Sequence, residues 1–373
     1  MDVADLHQIA RRFPLVGRPR PACPSLEERI GEISRIAHES TRADDPLPVA
    51  GHALNKAALI ASDCGLPDLA RELCWRHIDL YRNAAPLTVR EAGYMLEPVV
   101  NLARLLIRSG DGNAAWELLG ALHQAVRTNT DADIEGKPLP LSDLTGSLDE
   151  HRELCRWMWG VFLSEGTRAL LSQGRWQEAL AHVEQHKGIG QHLMDGRQVQ
   201  IVARCLAGDP DSAFTTLKDS TATEPWEKPV AACLTVLCLG FAARPTNSAV
   251  ANMMDAYLSL GSASEFVVFR TRLGLTVIDL ASGTAHRNAE RAATRAVSEA
   301  VAAGDGYVAR DILAHDLCRA VLTDAEERAL TSAVRSSGLD QGTIPEHLLA
   351  DLLPAVETSE AVAARSLAVS IEL

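Results

Sequence analysis

Residues 162–187 read FLSEGTRALLSQGRWQEALAHVEQHK. Gly174 divides the stretch into two amphipathic segments, and glycine supplies the left-handed position just beyond a helix that stops it. Ala179, five residues later, falls in the first turn of the second segment, where a small side chain lets two helices approach closely. The same arrangement recurs as GLPDLA (65–70), GDGNAA (110–115), GDPDSA (208–213) and GDGYVA (304–309). Pro67 and Pro210 stand where a helix N-terminus tolerates proline. Two further Gly-x4-Ala matches, Gly17 to Ala22 and Gly120 to Ala125, lack flanking amphipathic segments, so the five at breaks carry the reading. They predict a chain of helical hairpins.

Composition agrees. Of 373 residues 47% are hydrophobic but only 4% aromatic, and alanine alone accounts for 56. Alanine loses no side-chain entropy in a helix, whereas sheets draw on aromatic and β-branched residues. The periodicity predicts helices from residue 25 to 356, among them 149–173, 262–281, 285–303, 306–321 and 344–356. Ser25 and Glu28 form a capping box at the start of the series. No segment shows the period-2 alternation of a β-sheet. Two stretches interrupt the helices: a polar one at 128–148, and 219–229, where Trp226 is placed to pin the loop onto neighbouring helices. The expected division is therefore 1–127, a loop at 128–148, and a helical region at 149–373 continuous with the first.

The turn GRWQEAL (174–180) resembles that of the tetratricopeptide repeat (TPR), a 34-residue helix-turn-helix with a small residue opening its second helix. Ala179 and Ala213 are one such period apart; the other intervals, 45, 64 and 96 residues, depart from it. The resemblance implies an all-α, right-handed helical-hairpin solenoid with irregular repeats, whose first (A) helices line a concave groove.

The net charge of -13 works against attachment to phosphate backbones, so nucleic acid is not an expected partner. No apolar run reaches the ~20 residues of a membrane helix, and Met1–Asp5 resembles no secretory signal, so a cytoplasmic location is expected. The eight cysteines form no C-x-x-C pair and are expected reduced.

Within the apolar segment 87–109, Arg90, Tyr94, Glu97, Asn101, Arg104 and Arg108 follow one another at steps of four and three, which places all six on one helical stripe. Pro98 is positioned to kink or split that helix. The TPR resemblance places Asn101 and Arg104 on the concave surface, together with Asn55 and Lys56 ahead of Gly65 and Arg168 ahead of Gly174. Such a groove would be locally basic, suited to an acidic ligand or a peptide C-terminal carboxylate, because arginine offers a planar fork of donors and asparagine both donor and acceptor. The ligand-binding set is thus Asn55, Tyr94, Glu97, Asn101, Arg104 and Arg168. The competing reading of the stripe is an ordinary solvated face of mixed charge.

His182, His186 and His192 are the best metal candidates, but HVEQH lacks the glutamate position of H-E-x-x-H, so neither metal nor cofactor is expected. Phosphate loops, dinucleotide fingerprints and nucleophile elbows are absent from the sequence. Of Trp157 and Trp159, one is expected in the core and the other open to a groove; Trp75 is expected in the core, with Arg76 and Asp79 outward. The leading functional expectation is a protein- or peptide-binding adaptor or regulatory sensor rather than an enzyme. The alternatives are an enzyme or small-molecule binder with Tyr94, Glu97 and Arg104 converging in a pocket, and a homo-oligomerisation module using residues 281–303.

Overall fold

The computed structural model describes residues 3–261, 263–282 and 286–372. Among the described residues the chain is all-α apart from one small hairpin. Its elements are α1 (Val3–Ala10), α2 (Leu26–Ser40), α3 (Pro46–Asp63), α4 (Pro67–Asp79), α5 (Val89–Arg108), α6 (Gly112–Thr128), β1 (Ala132–Ile134), β2 (Lys137–Leu139), α7 (Leu148–Val161), a π-helical turn (Phe162–Gly166) and α8 (Thr167–Ser172). There follow α9 (Trp176–Gln185), α10 (Asp195–Leu206), α11 (Pro210–Lys218), α12 (Glu227–Phe241), α13 (Asn247–Leu258), α14 (Val267–Ser282), α15 (His286–Ala303), α16 (Gly306–Leu313), α17 (Asp316–Ala320), α18 (Asp324–Ser337) and α19 (Glu346–Glu372).

All five turn glycines adopt positive φ, from 59° at Gly304 to 88° at Gly110. The alanine that follows each one is fully buried: Ala70, Ala115, Ala179, Ala213 and Ala309. At three of the five turns the side chain after the glycine caps the next helix. Asp111, Asp209 and Asp305 accept a hydrogen bond from the backbone N–H three residues on, at 2.9, 3.1 and 3.0 Å, which satisfies a donor that the helix start leaves orphaned. The Ser25–Glu28 capping box is also present.

The chain divides into two compact units. One comprises residues 25–173 and 338–373. In it α2 to α6 pack each against the next, while α3 also touches α5, and α5 touches α7. A single core joins them, running from Leu26 through Leu54, Leu96 and Leu119 to Leu154, and on to Leu352 and Leu367 of α19. The chain re-enters this unit through backbone hydrogen bonds: Asp340 N–H donates to the Asp63 carbonyl and Gly342 N–H to that of Cys64, both at 2.8 Å. α19 then packs on α2 and α3.

The other unit comprises residues 1–24 and 174–337. Here α9 to α16 again pack each against the next, with α10, α12, α14 and α16 also touching in succession. The buried Gln198 side chain holds the N-terminal segment, accepting from Leu15 N–H and donating to the Leu15 carbonyl, both at 2.7 Å. Trp226 lies over Gly17, where a Cβ would sit 2.5 Å from the indole, and edge-on to Phe269, so it pins its loop as expected.

Several sequence expectations need correction. The 128–148 stretch holds a two-stranded antiparallel hairpin pairing Ile134 with Lys137, where no strand was expected. Its turn, Glu135-Gly136, has positive φ at both residues, 54° and 76°, as the twist of a two-residue hairpin demands. Ile134, Leu139, Leu141 and Leu144 belong to the core, so this stretch is packed within its unit. The expected helix over 149–173 is interrupted by the π turn, 306–321 is two helices broken before His315, and the helix begun near 344 extends to 372. Residues 262 and 285, expected to start helices, lie outside the described residues. The alanine face of α15 (Ala289, Ala292, Ala293, Ala296 and Ala300) is buried within its own chain. Among the described residues no helix is long and apolar enough to cross a membrane.

Candidate functional site

α5 begins at Thr88, which accepts from Glu91 N–H while the Glu91 carboxylate accepts from Thr88 N–H at 2.8 Å. The helix runs through Pro98 without a break. One face of α5 is core, with Met95, Leu96, Val99, Leu102 and Ala103 wholly enclosed. The opposite edge carries the polar stripe.

Four of the six expected ligand residues are brought together. Asn101, buried on α5, donates from Nδ2 to Oδ1 of Asn55 on α3. Asn101 Oδ1 accepts from Arg104 Nη1 at 2.9 Å. Arg104 also donates from Nε and Nη2 to Glu165 Oε1, at 2.8 and 2.6 Å. Arg168 Nη1 stands 3.7 Å from the other oxygen of Glu165. A continuous polar chain therefore crosses α3, α5 and the π turn leading into α8.

Glu165 is the residue that sequence reading missed. It sits in the π turn, whose extra residue per turn shifts the facing of every side chain around it. π segments are frequent at functional sites, and helical periodicity gives no warning of them. Its Oε2 atom is buried with no hydrogen-bond partner, although the Arg168 guanidinium is within ion-pair reach. With two arginines around one carboxylate, the cluster carries a net positive charge smaller than the basic groove expected.

Tyr94 and Glu97 are not part of this chain. The Tyr94 hydroxyl accepts from Arg90 at 3.2 Å, Arg90 ion-pairs with Asp45 at 3.8 Å, and Glu97 stays exposed. Arg108 reaches the buried carboxylate of Asp63 at 3.0 Å, a group it shares with Arg29. Lys56 pairs with Glu32 at 2.6 Å. Asn101 is enclosed, but the arginines around it reach solvent: the Arg104, Arg108 and Arg168 side chains are 38%, 47% and 64% exposed. Leu59, one turn beyond Asn55 on α3, adds an exposed aliphatic side chain.

A groove lies along α4, where the hairpin turn docks on Trp75. The groove has a volume of about 650 Å³ and is lined by Asp68, Arg71, Glu72, Arg76, Glu135 and Lys137 among others. Trp75 is buried, as expected. Its indole N–H donates to Glu135 at 3.0 Å, and the Lys137 ammonium lies 4.4 Å from its ring centre. Arg71 holds the same Glu135 carboxylate at 3.1 Å, and Arg76 makes a bidentate pair with Glu360 of α19 at 2.7 and 2.6 Å.

Other residues singled out by sequence have local roles. The rings of His182 and His186 lie 4.7 Å apart, whereas His192 is 3.4 Å from Glu227. Among the described residues no group of three or more His, Cys, Asp or Glu side chains is placed to hold a metal ion. Burial pushes the Glu227 carboxyl up, but the N–H groups of Glu224, Leu193 and Thr223 and the nearby His192 outweigh it and hold the group below the usual range. Trp157 packs on the core and Trp159 is 41% exposed, the split expected of that pair.

The chain matches no protein-family model, and no curated protein matches its sequence.

Proposed function

We propose that this chain is a TPR-like solenoid of irregular helical hairpins that binds a protein or peptide, as an adaptor or regulatory sensor, on the face carrying Asn55, Asn101, Arg104 and Arg168. The single observation that carries this reading is the polar chain crossing three helices. Asn101 and Glu165 use three of the five guanidinium N–H groups of Arg104 and so fix its orientation. Two remain for a ligand. A guanidinium already held in place loses little side-chain entropy on binding, and its planar fork suits a carboxylate or a pair of peptide carbonyls. Exposed Leu59 offers an apolar contact beside it. The contacts of α3 with α5 and of α5 with α7 support the solenoid reading, since in such repeats the A helices stack to form one surface.

The test is an array of peptides with free C-terminal carboxylates, acidic sequences included, probed with wild-type protein and Arg104→Ala. Selective binding by wild type, weakened at least about tenfold in the variant, supports the reading. An empty array and an empty pull-down, with purified protein altering a metabolite, would end it. That outcome would favour a second reading, a small polar ligand in the α4 groove, whose volume lies in the range of ligand sites.

A further inference from the structure

Of the eight cysteines, seven are buried, and two of those lie in contact. Cys205 lies in the last turn of α10 and Cys238 in the last turns of α12; their sulfur atoms are 3.6 Å apart. Each is 1% exposed. α10 and α12 pack directly on each other, with α11 looped between them. A disulfide needs its sulfurs about 2 Å apart, so closure requires a movement shared between two side chains whose helices already touch.

We propose that Cys205 and Cys238 are a latent disulfide pair, an oxidation site that covalently staples α10 to α12. The oxidant is a peroxide. One thiol gives up its proton to solvent and its sulfur attacks a peroxide oxygen, breaking the O–O bond to give a sulfenic acid and one water. The second sulfur then attacks the sulfenic sulfur, the S–S bond forms and a second water leaves. Two thiols and one hydrogen peroxide thus give one disulfide and two waters; the thiols are oxidised and the peroxide is reduced.

The surroundings fix how the site reacts. The Cys205 sulfur and burial both push the Cys238 thiol up, and thiolate is the reactive form. The staple therefore forms slowly at neutral pH and faster as pH rises. Cys155 supplies an internal contrast. It is the one half-buried cysteine, with His151 at 3.5 Å and the Val126 carbonyl at 3.8 Å from its sulfur. With no second thiol among these partners, peroxide acting there should give a sulfenic acid that a 1,3-dione probe captures.

The experiment treats the full chain with hydrogen peroxide, alkylates the remaining thiols after denaturation, and maps the peptides by mass spectrometry. The expected result is a 205–238 cross-linked peptide with the loss of two hydrogens, about 2 Da, reversed by dithiothreitol and forming faster at higher pH. A rise in melting temperature should accompany it, because the bridge restricts the unfolded chain. Cys238→Ser should abolish the cross-link and the rise together; a circular dichroism spectrum equal to wild type shows that the variant folds. Cys205→Ser repeats the test from the other helix. Both thiols remaining alkylatable after peroxide, or Cys205 bridging to Cys233 instead, would overturn the assignment.

Discussion

His77 of α4 is 3% exposed, and neither of its ring nitrogens has a hydrogen-bond partner. It packs toward Gly51 of α3, where a Cβ would lie 3.6 Å from Nε2, and toward Tyr81, whose ring centre is 5.9 Å away. Burial lowers its pKa from 6.5 to about 4. Folding therefore favours the neutral ring, and the unfolded chain takes up the proton first. Stability is complete above the unfolded value and drains away as pH falls toward the folded one. At about 1.4 kcal/mol per unit, the full difference is worth about 3 kcal/mol, of which about 2 kcal/mol is lost between pH 7.5 and 5.0. The perturbation is His77→Leu, which removes both unpaired nitrogens at similar volume. Urea denaturation of wild type and variant at the two pH values, followed by circular dichroism, isolates the histidine, because carboxylates titrate alike in both proteins. The variant should lose about 2 kcal/mol less than wild type across that interval. Equal losses would refute the reasoning.

Three further outcomes follow from packing and are read by the same denaturation assay. Gly112→Ala places a Cβ 2.5 Å from the Ala169 carbonyl oxygen and onto the Ser172 hydroxyl, so it should cost about 1–3 kcal/mol; a neutral result would mean that α6 and α8 separate freely. Ala243, just beyond the C-cap of α12, has φ 51°, a conformation that costs an L-residue about 1–2 kcal/mol, so Ala243→Gly should gain roughly 0.5–1 kcal/mol after the glycine's unfolded-state entropy is subtracted. Gln198→Leu leaves the Leu15 N–H and two buried carbonyls without their partner and should cost about 1–3 kcal/mol.

How much of this was legible in the sequence depends on where each residue's partners lie. The five glycine turns could be read because their cause is local: glycine tolerates the left-handed conformation, and the alanine after it sits in a close helix contact. Helix ends at Asn129, Lys187 and Ala243 use the same backbone conformation without glycine, so composition did not mark them as turns of this kind. The hairpin escaped notice because its strands are three residues each, too short for alternation to register. For the candidate site, helical spacing was enough to group Asn101 with Arg104, and Asn55 and Arg168 came from alignment of the turns. Glu165 could not be reached that way, because the π turn changes the register on which such spacing relies. Gln198 and Glu227 were equally hidden, since their partners are backbone groups of segments distant in sequence or of irregular loops.

Amide hydrogen exchange tests the central claim most directly, measured on the full chain with and without the tightest-binding peptide from the array. Binding at the polar chain predicts slowed exchange over residues 97–108 of α5 and 162–168 of the π turn and α8, lost in Arg104→Ala. Slowed exchange confined to 68–79 and 135–137, or found only in residues 174–337, would contradict it.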